Sequence, residues 1–448
     1  MTGSEVEGVE EALALLVPLP GDRGGRETAG ARGGERAGAE RHRAVAWGEA
    51  RALAGRLGAG RPVGFGHTGL GQALGRVLAD PLTALTDLPP FDTSAMDGWA
   101  VAGPGPWAAS GGGDAVLAGR VPVEPLQDGA AVRIATGARL PSGATAVIRA
   151  EHARIDAAGQ LHALRAVGHG QDIRPRGQEC RSGDQLLPAG TVVTPVVLGL
   201  AAAAGYDGLV TVERPAVEIL VLGDELLTAG LPKDGLIRDA LGPMLTPWLE
   251  SLGAEVVAVR RLGDEAGALA EAVRGSTADL VLTTGGTAAG PVDHLHRVLA
   301  EAGAELLVDG VKVRPGHPML LARLDPGRHL VGLPGNPLAA VAALLTLAAP
   351  LLRGLAGRTA AASRTAAVGE PVAGHPYDTR LVPVVRRGAE GQAGDGVAVP
   401  VRFHGPAMLR GIAVADGLAV VPPTGARAGD TLEILTLPWA PTTEGCFT

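Results

Sequence analysis

The residues best suited to catalysis or ligand binding lie in four loops, each of which follows an apolar segment. In chain order the loops contain Gly223, Asp224 and Glu225; Gly263, Asp264 and Glu265; Thr283, Thr284, Gly285, Gly286 and Thr287; and Leu333, Pro334, Gly335, Asn336 and Pro337. Glycine lets backbone N–H groups approach an anion, but clustered carboxylates would repel that anion unless a hard cation lay between them. The loops therefore predict a Mg²⁺-assisted phosphoryl or nucleotidyl reaction, with Asp224, Glu225 and Asp264 as candidate metal ligands.

These loops belong to a stretch in which apolar segments, interpreted as strands, alternate with helical segments. The strands are expected at residues 217–222, 255–259, 280–284 and 330–333. This alternation is typical of a doubly wound α/β domain, in which loops at the carboxyl ends of the strands meet in one crevice. Asp293, at the start of the helix after the third loop, joins the acidic set, although Asp264 and Asp293 are also placed as helix N-caps. His294 and His296 fall on different faces of that helix, which argues against a metal pair.

The rest of the chain divides into modules by composition and hydrophobic periodicity. Helical periodicity begins at Trp47 and resumes from Leu70 to Leu78, and Asp80 and Pro81 are expected to end the helix. The expected modules are a disordered tail at 1–43, a helical linker at 44–85 and 180–213, a β-rich insertion at 86–179, the α/β domain at 214–358 and a C-terminal β-barrel at 362–448.

Composition argues against several classes of protein. The formal net charge of -8 provides no broad positive surface for nucleic acid or anionic membrane. The two cysteines, Cys180 and Cys446, are too few for a disulfide framework and indicate a reducing compartment. The longest apolar run, residues 338–349, stops at Pro350, short of the roughly 20 residues that span a bilayer. We therefore expect a soluble, cytoplasmic protein with a small polar ligand.

A signature near the start of the insertion carries a family resemblance. The segment FDTSAMDGWAV, from Phe91, resembles the signature of the molybdopterin molybdenumtransferases, the bacterial relatives of the gephyrin E-domain. Further matches follow in the family's order, namely RIATGARLP from Arg133, IRPRG from Ile173, GDEL from Gly223, IRD from Ile237, TTGG from Thr283, RPG from Arg314, GLPGNP from Gly332 and ADGLAVVP from Ala415. The resemblance covers nearly the whole chain after the tail.

This resemblance implies a homodimer of elongated, four-module subunits with a shared active site. Members of the family take adenylylated molybdopterin and molybdate and, with Mg²⁺, release AMP and leave molybdenum on the dithiolene. The α/β domain corresponds to the family's molybdopterin-binding domain. The resemblance implies that Asp97 reaches the neighbouring subunit's active site and that Thr136 acts in the same insertion module.

Further roles are implied for the α/β domain and the barrel. Glu225, Asp264 and Asp293 correspond to acidic positions that coordinate metal or activate water. The predicted substrate-binding residues are Asp239, Thr284, Gly285, Gly286, Arg314, His317, Pro334, Gly335, Asn336, Pro337 and Arg380. Gly285 and Gly286 would cradle phosphate.

Several of these residues have a plain structural alternative. Asp97 is also placed to hold the turn at residues 96–98 by accepting backbone hydrogen bonds, and Thr136 to be a strand-end hydroxyl without a ligand. Pro334 and Pro337 would shape their loop without touching substrate, and Arg380 would be a surface cation. The family match does not decide between these interpretations.

Departures from the family pattern concentrate on the ligands of molybdate. The chain has Ala288 and Ala339 where serine is usual, Ala407 in a usual Gly-Ser region, Ala240 and Leu241 in a usual Asp-Ser-Asn run, and His317 for a lysine. Each lost donor to a dianion removes roughly 1–3 kcal/mol. We therefore expect weakened oxyanion binding, with an anion pocket rebuilt from Arg314, His317 and Arg380. The alternatives to molybdenum insertion are a non-inserting molybdopterin-binding carrier or scaffold paralog, and an enzyme for another oxyanion such as tungstate.

Overall fold

The computed structural model describes residues 44–60, 62–109, 115–120, 124–288, 294–359, 364–388 and 396–440. Every element below lies in the unit Val45–Thr448, which is distinct from the unit Met1–Ala44. The tail at residues 1–43, Asp293 and Cys446 lie outside the described residues, so the predictions made for them stay predictions.

The described elements follow the order of the predicted modules. The helices are α1 Trp47–Ala59, α2 Leu70–Ala73, α3 Pro195–Ala203, α4 Leu241–Ser251, α5 Ala266–Gly275, α6 Leu295–Glu301 and α7 Pro337–Leu355. The strands before residue 213 are β1 Val45–Ala46, β2 Phe65–Gly69, β3 Leu82–Thr83, β4 Thr93–Ser94, β5 Gly98–Val101, β6 Trp107–Ala109, β7 Ala130–Ile134, β8 Ala146–Arg149, β9 Ala153–Ile155, β10 Gln160–Ala163, β11 Ile173–Arg174, β12 Gln185–Leu187 and β13 Gly208–Val212. The later strands are β14 Ala216–Leu222, β15 Leu226–Leu227, β16 Ile237–Arg238, β17 Glu255–Leu262, β18 Leu280–Thr284, β19 Glu305–Asp309, β20 Val311–Arg314, β21 Leu320–Asp325, β22 Arg328–Leu333, β23 Arg364–Val368, β24 Thr379–Arg387, β25 Val397–Pro400, β26 Gly417–Val421 and β27 Thr431–Thr436.

The α/β domain is built on a sheet with the strand order β17-β14-β18-β22-β21-β19. The first four strands are parallel, and β21 runs antiparallel to both of its neighbours. β18 is buried along its whole length, as expected of a strand covered on both faces. Because β17 lies on one side of β14 and β18 on the other, the winding reverses between β14 and β18. The predicted doubly wound sheet is confirmed, and a crevice is expected at this switch point.

Helix α7 fills the core of this domain. It continues through Pro350, where the sequence indicated an end to the apolar run. The π-helical turn Leu344–Ala348 ends two residues before this proline. The missing N–H and the ring of proline disturb a regular α-helix, so a π turn at this point accommodates it. The helix is long and apolar enough to cross a membrane, but 83% of its apolar window is buried inside the protein. Packing against protein side chains therefore accounts for its apolar character.

The C-terminal module closes into a barrel, as predicted. β24 pairs with β25 and β26, β25 pairs with β23, β23 pairs with β27, and β27 pairs with β26, which completes the ring. β20 pairs in parallel with β24 and with β1. The strand that ends at Arg314 therefore joins the α/β region to the barrel.

The β-rich insertion is confirmed as a sheet with the order β8-β5-β7-β6-β10-β9. Gly98 begins β5, and its backbone passes so near β8 that an added Cβ would lie 2.0 Å from the carbonyl oxygen of Ile148. Only glycine fits this position without a shift of the backbone. The residue that precedes it, Asp97, is therefore held at a fixed place at the start of this inner strand.

The linker is less helical than the sequence indicated. α2 ends at Ala73, and Gly75 follows in the left-handed region with φ of +75°. Val77 and Leu78 then form strand bridges to the segment before α3 and to β13. The predicted helix through residue 78 is wrong, because a left-handed glycine and tertiary strand pairing override the apolar period.

Candidate active site

A cavity of about 570 Å³ lies at the switch point between β14 and β18, a size typical of small-molecule sites. The loops after β14, β17, β18 and β22 form its walls, as the sequence predicted. The predicted site residues that line it are Glu225, Asp239, Asp264, Thr284, Gly285, Gly286, Pro334, Gly335, Asn336 and Pro337. Four separate chain segments therefore meet in one place.

Glu225 and Asp264 bring two carboxylates to the cavity. Neither side chain has an ion pair or hydrogen bond with the residues that the structure describes. Asp224 is not in the lining, and its carboxylate accepts the N–H of Asp264 at 3.4 Å, so it supports the second loop. α5 begins after Glu265 without a side-chain cap, which removes the N-cap alternative for Asp264.

The predicted metal ligands do not form a preassembled metal centre. Within the described ranges, no group of three or more His, Cys, Asp or Glu side chains is placed to hold a metal ion. Glu225 and Asp264 share the cavity, whereas Asp224 lies behind them. Any cation would need further oxygen ligands from substrate or water.

Asp239 lies in the cavity wall, but the fold uses both oxygens of its carboxylate. Oδ1 accepts the N–H groups of Leu241 and Gly242 at 3.0 and 2.9 Å, at the start of α4. Oδ2 accepts a hydrogen bond from Arg261 at 2.6 Å, and the Asp239 side chain is 3% exposed. Neither oxygen of this carboxylate is free to support the predicted role in substrate binding, because one caps a helix and the other pairs with a guanidinium.

We expect Asp239→Ala to lower the free energy of unfolding by about 1–3 kcal/mol, because two helix N-terminal N–H groups and a guanidinium lose their acceptor. Urea unfolding of the unliganded protein measures this effect. Glu250→Ala, an exposed substitution on the same helix, is the matched control and should change stability by less than about 0.5 kcal/mol. Unchanged stability in Asp239→Ala would instead return Asp239 to the ligand-binding residues.

Gly285 and Gly286 turn the chain out of β18 with φ values of +85° and +70°, which glycine adopts without strain. The N–H of Gly285 donates to the carbonyl of Leu333 at 2.8 Å and so extends the pairing between β18 and β22. Since this N–H is occupied, the pair offers an anion the N–H of Gly286, which has no hydrogen-bond partner among the residues that the structure describes. Thr284 lines the inner wall and is 2% exposed.

The C-terminal module contacts the chain where the loop after β22 leads into α7. Asn336 precedes α7, and Pro337 occupies the first turn, where the fixed φ of proline is preorganised for a helix. The N–H groups of Leu338 and Ala339 donate to the carbonyl of Pro406 at 2.9 and 3.3 Å. These contacts occupy donors that a helix N-terminus otherwise offers to an anion.

Arg314, His317 and Arg380 do not line the cavity, and the anion pocket expected from them stays a prediction. Arg314 donates to Asp378 at 2.9 Å, Arg380 to a barrel carbonyl at 2.7 Å, and His317 to a carbonyl of β20 at 2.8 Å. Arg314 and Arg380 are register partners between β20 and β24. Strand pairing therefore places both arginines at the seam between the α/β region and the barrel.

Asp97 and Thr136 meet in the insertion beside β5 and β7. Asp97 Oδ1 accepts the N–H of Thr136 at 2.7 Å, and this bond, assisted by the Thr136 hydroxyl, holds the pKa of Asp97 below its usual value. The turn at residues 96–98 is instead held by Ser94, whose hydroxyl donates to the carbonyl of Met96. Both Asp97 and Thr136 are exposed and lie outside the cavity lining of their own chain.

The cavity also contains residues that the sequence analysis did not select. Arg238 and His294 supply ionisable side chains, and so does Glu265, which the sequence analysis named in its loop without a role. Arg238 belongs to the IRD motif, so a signal was present, whereas His294 had been set aside as part of a histidine pair. The neighbouring His296 contacts Asp309 at 2.8 Å and is not in the lining, in agreement with the prediction that the two histidines lie on different faces.

Comparisons with known proteins agree with this arrangement along the chain. Residues 51–205 match the family described as the MoeA N-terminal region (domain I and II), residues 218–354 the probable molybdopterin binding domain, and residues 365–437 the MoeA C-terminal region (domain IV). The crystal structure of the molybdopterin biosynthesis MoeA protein from Pyrococcus horikosii matches with a TM-score of 0.68 and 25% identity, covering 88% of this chain and 99% of that chain. The fold is therefore a MoeA-like multidomain fold with an α/β domain and a barrel.

Curated relatives narrow the class further. A molybdopterin molybdenumtransferase from Nostoc sp. is 33% identical over 300 residues, covering 64% of this chain and 69% of that protein. Another from Staphylococcus aureus is 29% identical over 381 residues, covering 82% of this chain and 90% of that protein. The chain belongs to the molybdopterin molybdenumtransferase family, whose members are enzymes of molybdenum cofactor biosynthesis.

Proposed function

We propose that the protein inserts molybdenum from molybdate into adenylylated molybdopterin, in a Mg²⁺-dependent reaction that releases AMP. The observation that carries the proposal is that Glu225 and Asp264, whose carboxylates have no partner among the described residues, meet the glycine turn at Gly285 and Gly286 in one cavity. We further propose a cytoplasmic homodimer in which Asp97 of each subunit completes the site of the other.

The chemistry of the cavity fits Mg²⁺. This ion is commonly held by one or two carboxylates together with substrate phosphates and water, and Glu225 and Asp264 present such a pair. When bound, the ion would neutralise charge on the phosphates during AMP release. Asp293, implied by the resemblance as a third acid, lies outside the described residues.

The residues of the chain then have separate tasks. The N–H of Gly286 donates to a phosphate oxygen, and the loop at Pro334 and Pro337 shapes the wall opposite the acids. A carboxylate oxygen of Asp264 accepts a proton from the water that attacks the phosphoanhydride. Glu225 helps to hold the cation.

A specific observation favours a second candidate, a carrier or scaffold that binds molybdopterin without inserting metal. Ala288 and Ala407 line the cavity without hydroxyl groups, and the carbonyl of Pro406 occupies N–H groups of α7. A dianion such as molybdate therefore finds few donors at this end of the cavity.

Turnover with purified protein distinguishes the two. Protein, adenylylated molybdopterin and Mg²⁺ are titrated with molybdate, and AMP and metal-loaded product are both measured. We expect both products, at a molybdate requirement raised by the missing donors. Tight substrate binding with neither product would establish the carrier instead, and preferential use of tungstate in competition would assign another oxyanion.

A further inference from the structure

The described cavity has a deficit of positive charge for a phosphorylated substrate. Its lining contains the carboxylates of Glu225, Asp264 and Glu265, and also Asp239, whose charge is balanced by Arg261. A phosphate group brings further negative charge to this wall. Some donor or cation of the chain must offset the repulsion in addition to any metal ion.

Several of the backbone donors usual for this fold are occupied. The N–H of Gly285 bonds to β22, and the first N–H groups of α7 bond to the carbonyl of Pro406. The N–H groups that start α4 bond to Asp239. The glycine turn and helix N-termini, which bind phosphate in many α/β proteins, are therefore reduced here to the N–H of Gly286 and the uncapped start of α5, which lies next to the carboxylates of Asp264 and Glu265.

One permanent positive charge is left in the part of the lining that the structure describes, and it belongs to Arg238. The guanidinium is exposed and has no ion pair or side-chain hydrogen bond with the described residues. Its backbone is fixed from both sides, since the N–H of Ile237 donates to the carbonyl of Glu225 at 2.8 Å and that of Asp239 to Leu227 at 3.0 Å. The register pair Leu227 and Arg238 holds this position beside the first acidic loop.

We propose that Arg238 binds the phosphate of a nucleotide or phosphorylated pterin in this cavity and so selects phosphorylated over unphosphorylated ligands. The planar guanidinium matches two oxygens of a phosphate and keeps its charge at all working pH values. This proposal rests on the proposed function only for the identity of the substrate. Phosphate selectivity is measured without turnover.

The test compares AMP with adenosine by calorimetry on the full chain in the presence of Mg²⁺. Arg238→Gln should weaken AMP binding about 10- to 100-fold and leave adenosine binding unchanged, because only the charge-assisted phosphate contact is lost. Arg238→Lys should recover part of the loss. Lys233→Gln is the matched control, because Lys233 is an exposed cation in the same segment between β14 and α4 but lies outside the cavity lining. This variant should bind both ligands like the wild type.

Equal AMP affinity in Arg238→Gln and wild type, or no preference of the wild type for AMP over adenosine, would overturn the proposal. The two proposals fail separately. A wild type that shows Arg238-dependent AMP binding but inserts no metal would contradict the proposed function and leave the role of Arg238 intact.

Discussion

Two inactive variants, Asp97→Asn and Glu225→Gln, should regain about a quarter of wild-type kcat when they are mixed and allowed to exchange subunits, if each site of a symmetric dimer combines the two residues from different chains. Random exchange makes half of the dimers mixed. Each mixed dimer has one site with both residues intact and one site with neither. Each variant alone should lose nearly all turnover.

The structure supports the choice of these two residues. Glu225 lines the cavity, whereas Asp97 lies outside the lining of its own chain. Hydrogen bonding to Thr136 lowers the pKa of Asp97, so this carboxylate stays ionised at a lower pH than an ordinary aspartate does. Asparagine keeps an oxygen that accepts the N–H of Thr136, so Asp97→Asn should remove the charge without loss of the fold.

Two controls make the experiment decisive. A dimer of wild type with the double variant, which has both changes in one chain, contains no site with both residues intact, so an equal mixture should fall to about half the turnover of its wild-type component alone. Gel filtration of the mixture checks that dimers are present. Turnover of the mixture that stays at the level of the single variants would place Asp97 and Glu225 in the site of the same chain.

Gly58→Ala should lower the free energy of unfolding by about 3 kcal/mol or more, since the change overpacks two helix backbones. An added Cβ at Gly58 would lie 2.1 Å from the carbonyl oxygen of Leu351, and one at Gly354 would lie 2.3 Å from the backbone nitrogen of Ala59. These atoms are backbone, so no side-chain rotation relieves the clash. α1 and α7 would have to separate in the core of the protein.

Gly55→Ala, in the same helix, is the matched control. The nearest atom to an added Cβ there is Pro350 Cβ at 3.9 Å, an ordinary contact. Alanine should then raise stability by about 0.5–1 kcal/mol, because it restricts the unfolded chain and favours the helix. Urea unfolding of both variants measures the difference. Similar changes in the free energy of unfolding of the two variants would show that the backbones of α1 and α7 do not pack closely at Gly58.

The loops that contribute residues to the cavity were predictable because the order of strands and loops follows from hydrophobic periodicity. The strand at Leu280–Thr284 was predicted with the bounds that the structure has. Loops that follow parallel strands must open at one edge of the sheet, so the meeting of Glu225 and Asp264 followed from the pattern. The false helix through residue 78 shows the limit, since its apolar spacing is satisfied by strand bridges instead.

The sequence by itself determined which loops meet at the cavity, but the tertiary structure decided which of their side chains line it and which of their polar groups are free. Asp239, Gly285 and Arg314 carry suitable atoms, and each is occupied by a partner from another segment, namely Arg261, Leu333 and Asp378. Arg238 has no such partner among the described residues and is therefore left to meet a ligand. Hydrogen bonds between distant segments depend on how sheets and helices pack, and local spacing in the chain does not specify that packing.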